Sequence, residues 1–226
     1  MTIKKTKIIE NPDLLVNAGN PKGKLGEELI NNMNVNHENL AQWGVSHLDI
    51  SKQSTILDIG CGGGVNVKRF LELTDSNVYG IDYSELSVKK SIEVNIDEIE
   101  NQRCEIKHES VSNMSFDDNS FDIITAFESV YFWPDFENDL MEVKRVLKND
   151  GIFLICNEAI PKENDERQKE FIELLDCNIY SEYELISYLN NARFSNIKTV
   201  INESKDSFTG EDSTWICVIA KNSNEF

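Results

Sequence analysis

Beyond residue 54 the chain alternates short β-branched runs with longer helical stretches, and that rhythm admits few folds. Strands are read at 55–59 (TILDI), 77–81 (NVYGI), 104–108 (CEIKH), 121–127 (FDIITAF) and 151–156 (GIFLIC). Helical stretches fall near 64–73, 84–99 and 135–148. In 84–99, Leu86, Val88, Ile92, Ile96 and Ile99 share one face behind Ser84 as N-cap. Strands spaced by helices imply a parallel sheet covered on both faces. The last third changes rhythm. Helical segments at 163–176 and 181–192 precede strand-like 196–202 (NIKTVIN) and 214–221 (TWICVIAK). About ten polar residues separate that pair, too few for a crossover helix, so the two form an antiparallel hairpin at one sheet edge. Ahead of the sheet, 23–34 carries Leu25, Leu29 and Met33, and 36–48 carries Leu40, Trp43 and Leu48 with Asn36 as cap. These read as two amphipathic helices lying against the domain. The chain divides at this level into a helical segment, 1–50, and an α/β domain, 51–226.

Between the first strand and its helix stands GCGGG, 60–64. Glycines in such number cost backbone entropy, so they mark a tight turn, a ligand lying on the backbone, or both. Backbone N–H groups at a helix N-terminus favour a negative group or an acceptor. Asp82, in GIDYS, ends the second strand 22 positions after Gly60, where a carboxylate can accept both ribose hydroxyls of an adenosine. Together the two features indicate a nucleotide-type ligand. A dinucleotide fingerprint needs a third glycine, and Val65 or Val67 stands there instead. No Y-x-x-x-K pair is present, and no G-K-[ST] follows the glycines, which excludes a P-loop.

Composition narrows the partners. The net charge is -18, and residues 1–55 contain 6 basic and 6 acidic residues, so the acidic excess lies wholly in the α/β part. Such a surface repels phosphate backbones, which argues against nucleic acid. No apolar run approaches the ~20 residues of a membrane span, and the N-terminus shows no secretory pattern, so a cytoplasmic location is expected. Five cysteines lie scattered without a C-x-x-C pair or a Cys/His cluster, and no metal site is expected from them. No oligomeric state is assigned.

LDIGCGGG, GIDYS, MSFDDNSFDIITAFESVYFWPD and EVKRVLKNDGIFLI together resemble the class I S-adenosylmethionine-dependent methyltransferases, in their small-molecule group. The resemblance covers motifs in residues 54–160 and the layout beyond them. It implies a Rossmann-like doubly wound sheet of seven strands, order 3-2-1-4-5-7-6, the last antiparallel, under an N-terminal helical lid. It also implies methyl transfer from S-adenosylmethionine to a small-molecule acceptor, leaving S-adenosylhomocysteine. Carried over residue by residue, it assigns Asp58, Gly60, Cys61 and Gly62 to the methionine end, with Phe127 facing it. Asp82 takes the ribose, and Tyr83 and Ser84 lie beside the adenosine. Where the family has an Asp for the adenine amino group this chain has Ser110, so the contact falls to Ser110 or to the backbone N–H of Val111. KNDG, 148–151, replaces the usual K-P-G-G.

A sulfonium carries its own reactivity, so the protein mainly aligns acceptor and methyl, and a base is needed only where the acceptor must lose a proton. Candidates for the acceptor side are Tyr131 as a pocket aromatic, Glu128 to orient or deprotonate, and His37 as a base brought in by the N-terminal helices. Phe132 and Trp133 divide between pocket and core. Pro134 is placed in the first turn of the following helix. His47 and His108 read as structural, and Cys61 contributes its backbone and small size. Two other readings stay open: an NAD(P)-dependent oxidoreductase, and a protein that binds S-adenosylmethionine without catalysis.

Overall fold

The computed structural model describes residues 12–205, 210 and 212–223, so the expected 1–50 segment lies partly outside the described residues. Three helices come first: α1 (Pro12–Leu15), α2 (Gly23–Asn36) and α3 (Glu38–Val45). The sheet follows as β1 (Ile56–Ile59), β2 (Val78–Asp82), β3 (Cys104–His108), β4 (Phe121–Phe127), β5 (Leu147–Asn157), β6 (Ser195–Lys205) and β7 (Asp212–Lys221). Its order is β3-β2-β1-β4-β5-β7-β6, as the resemblance implied. The first five strands run parallel, and β7 runs antiparallel to both β5 and β6.

The connecting helices are α4 (Val65–Leu73), α5 (Glu85–Val94), α6 (Ile96–Glu100), α7 (Phe136–Val146), α8 (Glu166–Leu175) and α9 (Glu182–Asn191). Alternate residues of the central strands feed two apolar layers. Ile56, Val78, Leu154 and Cys217 face Leu40 of α3 and Val67 and Phe70 of α4. Leu57, Ile124, Phe153 and Ile216 face Leu140 and Val143 of α7 and Leu185 and Leu189 of α9. Because both faces are covered, the strands read as continuous apolar runs, and β1 is buried at all four positions.

Three local expectations change. The stretch 84–99 is two helices, not one, because Asn95 leaves helical geometry and its side chain donates to the carbonyls of Ser91 and Gly64. The junction between α2 and α3 falls at His37, not Asn36: α2 runs on to Asn36, and His37 closes it through its N–H to the Met33 carbonyl. Pro134 precedes α7, whose N-cap is Asp135, its carboxylate accepting from the Asn138 N–H at 3.3 Å. Ser84 caps α5 as expected, accepting from Ser87 at 3.2 Å. No helix among the described residues is long and apolar enough to cross a membrane.

Candidate active site

At the carboxyl ends of β1, β2 and β4 a cavity of about 430 Å³ opens under α2 and α3. That size falls in the ordinary range for small ligands, and the position is where open α/β sheets bind them. The glycine turn forms one wall. Gly60 and Cys61 donate their N–H groups to the Ile81 carbonyl at 2.8 and 3.0 Å, which pins the turn on β2. Gly62 and Gly64 both lie at positive φ, +52° and +79°. A Cβ on Gly64 would press on the Ser91 backbone and the Asn95 amide at 2.7 Å, so close helix packing explains this glycine. A Cβ on Gly62 would meet nothing within 4 Å, although Gly62 lines the cavity. Space beside a strained backbone is what a ligand resting on the chain requires.

Asp82 ties this wall together. Its Oδ2 accepts from the Gly62 N–H and its Oδ1 from the Ser84 N–H, both at 2.8 Å. Each oxygen keeps a second lone pair for a diol. Burial pushes the carboxyl above its usual range, and the two backbone donors work against that push. Cys61 lies at the turn with its thiol raised well above the ordinary value by burial and then by Asp82 and Asp58.

Of the residues assigned to the cofactor, Gly60, Cys61, Gly62, Asp82, Tyr83, Ser110, Val111 and Phe127 line the cavity. Asp58 and Ser84 do not. Asp58 is 1 % exposed beneath the turn, accepts from the Thr125 hydroxyl at 2.7 Å, and is pushed up to about 7 by desolvation. Ser84 is wholly buried, and its hydroxyl is committed to the Ser87 N–H and the Pro21 carbonyl. It ties the N-terminal segment to the head of α5 instead of touching the cavity.

The facing wall comes from α2, α3 and the segment after β4. Ile30, Met33, Leu40, Ala41, Phe132 and Trp133 make it largely apolar, with His37 and Glu128 among them. Tyr131 is corrected: its side chain lies behind Glu128, donating to Glu128 Oε1 at 3.1 Å and accepting from the Ala159 N–H at 3.2 Å. The short helical turn Val130–Phe132 sets this phase, turning Tyr131 inward and Phe132 to the cavity. Trp133 does both jobs, lining the cavity and stacking on Phe153 in the core. Glu128 itself holds φ +53°, an uncommon conformation for a long side chain and one that concentrates at functional sites.

Glu158, the residue after β5 and one that the sequence analysis did not single out, reaches the same place. The register Phe127↔Cys156 sets the residues after β4 and β5 side by side, and the Glu158 N–H donates to Glu128 Oε1. Glu158 Oε2 lies 3.8 Å from His37 Nε2. Arg69 of α4 also lines the cavity unassigned, paired with Glu38 at 2.6 Å. No local pattern marks either residue, because each acquires its neighbours only through long-range packing.

This sheet order is that of the class I S-adenosylmethionine-dependent methyltransferase fold. Residues 57–155, somewhat less than half of the chain, match the family model of a methyltransferase domain. A sterol 24-C-methyltransferase of Aspergillus fumigatus is 29% identical over 155 residues, 65% of this chain and 41% of that protein. The chain thus spans less than half the length of that relative. Among solved structures, Haemonchus contortus phosphoethanolamine N-methyltransferase 2 with S-adenosyl-L-methionine superposes with TM-score 0.77 at 13% identity, over 99% of this chain and 61% of that one. Geranyl diphosphate C-methyltransferase from Streptomyces coelicolor, with Mg2+, geranyl diphosphate and S-adenosyl-L-homocysteine, gives 0.69 at 16% identity, over 90% of this chain and 86% of that one.

Proposed function

We propose that this protein transfers the methyl group of S-adenosylmethionine to a small-molecule acceptor. The observation that carries this reading is the cavity itself, which has a bare glycine backbone and a ribose-type carboxylate on one wall and an apolar wall bearing His37 and Glu128 opposite. The cofactor fits the residues present. Gly62 leaves open space where a side chain would stand, and Asp82 points its carboxylate along the turn. Gly60, Cys61, Gly62 and Phe127 would hold the methionine end, Asp82 the ribose with Tyr83 beside it, and Ser110 with the Val111 N–H the adenine. When bound, the cofactor supplies an electrophilic methyl on a sulfonium; this chain's part is to align the acceptor and exclude water.

On the acceptor side, Glu128 and His37 are the polar groups placed to orient the acceptor or accept its proton, and Tyr131 acts through Glu128 by holding its carboxylate. The apolar wall suits an acceptor with a hydrocarbon portion, in keeping with the sterol and prenyl-type acceptors in the names of the relatives. Of the N-terminal segment read as 1–50, the described helices α2 and α3 serve as a cover over the site and supply its apolar roof. A net charge of -18 supports a small acceptor over nucleic acid, and five buried, unpaired cysteines support a reducing, cytoplasmic setting. Parallel calorimetric titrations with S-adenosylmethionine, S-adenosylhomocysteine and NADH test the reading. Binding of the first two without the third is expected; binding of NADH alone would replace it with the oxidoreductase reading.

A further inference from the structure

Three ligand-type side chains from distant parts of the chain converge at the acceptor wall. His37 stands at the α2–α3 junction, Glu128 follows β4 and Glu158 follows β5. One nitrogen or oxygen from each lies within 4.8 Å of the other two. Both carboxylates are gripped from behind. Glu128 Oε1 accepts from the Tyr131 hydroxyl and the Glu158 N–H. The Trp215 indole N–H donates to Glu158 Oε1 at 3.4 Å, while Oε2 is turned to His37 at 3.8 Å. Carboxylates oriented by outer hydrogen-bond partners, with an imidazole beside them, are the ordinary surroundings of a bound metal.

Charge points the same way. Glu158 is 4 % exposed and Glu128 is half-buried, and two carboxylates set this close disfavour one another's charge unless a cation offsets them. Arg69, the one Lys or Arg among the described residues lining the cavity, is committed to Glu38 and Asn66. A protonated His37 would balance one of the two charges, whereas a divalent ion balances both. Metal–ligand bonds of about 2.0–2.2 Å set adjacent ligand atoms roughly 3 Å apart. The His37–Glu158 separation is already near that, and His37 and Glu128 sit half-buried on the cavity wall, where rotation about their side-chain bonds closes the rest.

We propose that His37, Glu128 and Glu158 bind one divalent metal ion of the kind that accepts mixed imidazole and carboxylate ligands, such as Mn2+, Co2+ or Zn2+. The ion's remaining positions face the cavity and select an acceptor with an oxygen or sulfur donor. That selection rests on the methyl-transfer reading; binding of the ion does not.

Co2+ is the probe, because its visible absorption reports the ligands around it. The full chain, stripped with chelator, is titrated with Co2+ and then challenged with Zn2+, and S-adenosylhomocysteine binding is measured in parallel. One Co2+ per chain is expected, with affinity at least about tenfold weaker in Glu158→Gln and in His37→Ala, and S-adenosylhomocysteine affinity within about twofold of the parent in Glu158→Gln. No stoichiometric Co2+ binding, or binding unchanged in both variants, overturns the site. Loss of S-adenosylhomocysteine binding with Co2+ binding intact would count against the cofactor reading alone. Should Glu158→Gln fail to fold, His37→Ala on the cavity wall decides the question.

Discussion

Gly62 and Gly64 both sit in left-handed backbone two residues apart, yet their replacement by alanine should have opposite consequences. A left-handed alanine costs about 1 kcal/mol at either position. At Gly62 nothing is added, because the new methyl meets no atom within 4 Å. At Gly64 the methyl presses on the Ser91 backbone and on the Asn95 amide that donates to the Gly64 carbonyl, and such overpacking adds about 1–3 kcal/mol. For a chain of this length 1 kcal/mol moves the melting temperature by about 2–4 °C. Gly62→Ala should therefore melt about 2–4 °C below the parent, and Gly64→Ala, at about 2–4 kcal/mol in all, about 4–16 °C below. Ligand binding should invert the ranking. The Gly62→Ala methyl stands in the cavity where the cofactor would rest, so S-adenosylhomocysteine affinity should fall by about 1–3 kcal/mol, roughly 5- to 150-fold. Folded Gly64→Ala should bind within about threefold of the parent at a temperature well below its transition. Differential scanning fluorimetry and calorimetric titration measure both quantities. Equal melting losses in the two variants, or unchanged affinity in Gly62→Ala, would refute the assignment of Gly62 to the ligand and Gly64 to packing.

Further outcomes follow from the same geometry. Asp82→Ala removes the acceptor of two backbone N–H groups and the proposed ribose partner, so S-adenosylhomocysteine affinity should drop by about 1–3 kcal/mol; a folded variant with parent affinity would remove Asp82 from the site. Asp58, with its carboxyl at about 7 in the fold, keeps its proton where the unfolded chain has lost it. The folded state thus binds more protons between pH 4 and 7, and stability falls as pH rises through that window, by at most about 4 kcal/mol from this group, then levels off above 7. Asp58→Asn, which can still accept from Thr125, should flatten that dependence in urea titrations at pH 5 and 7.5; equal slopes in variant and parent would show that Asp58 is ionised in the fold. Gly44→Ala would set a methyl against Phe127 at 2.6 Å and the Cys156 sulfur at 2.8 Å, lifting α3 from the sheet. A loss of about 1–3 kcal/mol is expected by chemical denaturation, and a neutral result would mean that α3 packs elsewhere.

What was legible in the sequence is what short stretches encode. The turn after β1 is spelled by apolar residues running into glycines, because left-handed backbone and close packing there exclude side chains. Asp82 is legible because β2 follows β1 by one helix and pairs directly beside it, so spacing along the chain translates into spacing in the crevice. The closing hairpin is legible because its connection is too short for a crossover. Tertiary structure alone decided the rest. Asp58 and Ser84 occupy motif positions, yet the sheet and the Pro21 carbonyl claim their side chains, and no local pattern reveals that competition. Which of three consecutive aromatics faces the cavity depends on the phase of a single short turn between β4 and the Asp135 cap. His37, Glu128 and Glu158 are strangers in sequence. They meet because β5 pairs beside β4 in one particular register while α2 and α3 pack across the ends of both, and a register is set by the burial of whole strand faces, not by the residues that happen to emerge at their ends.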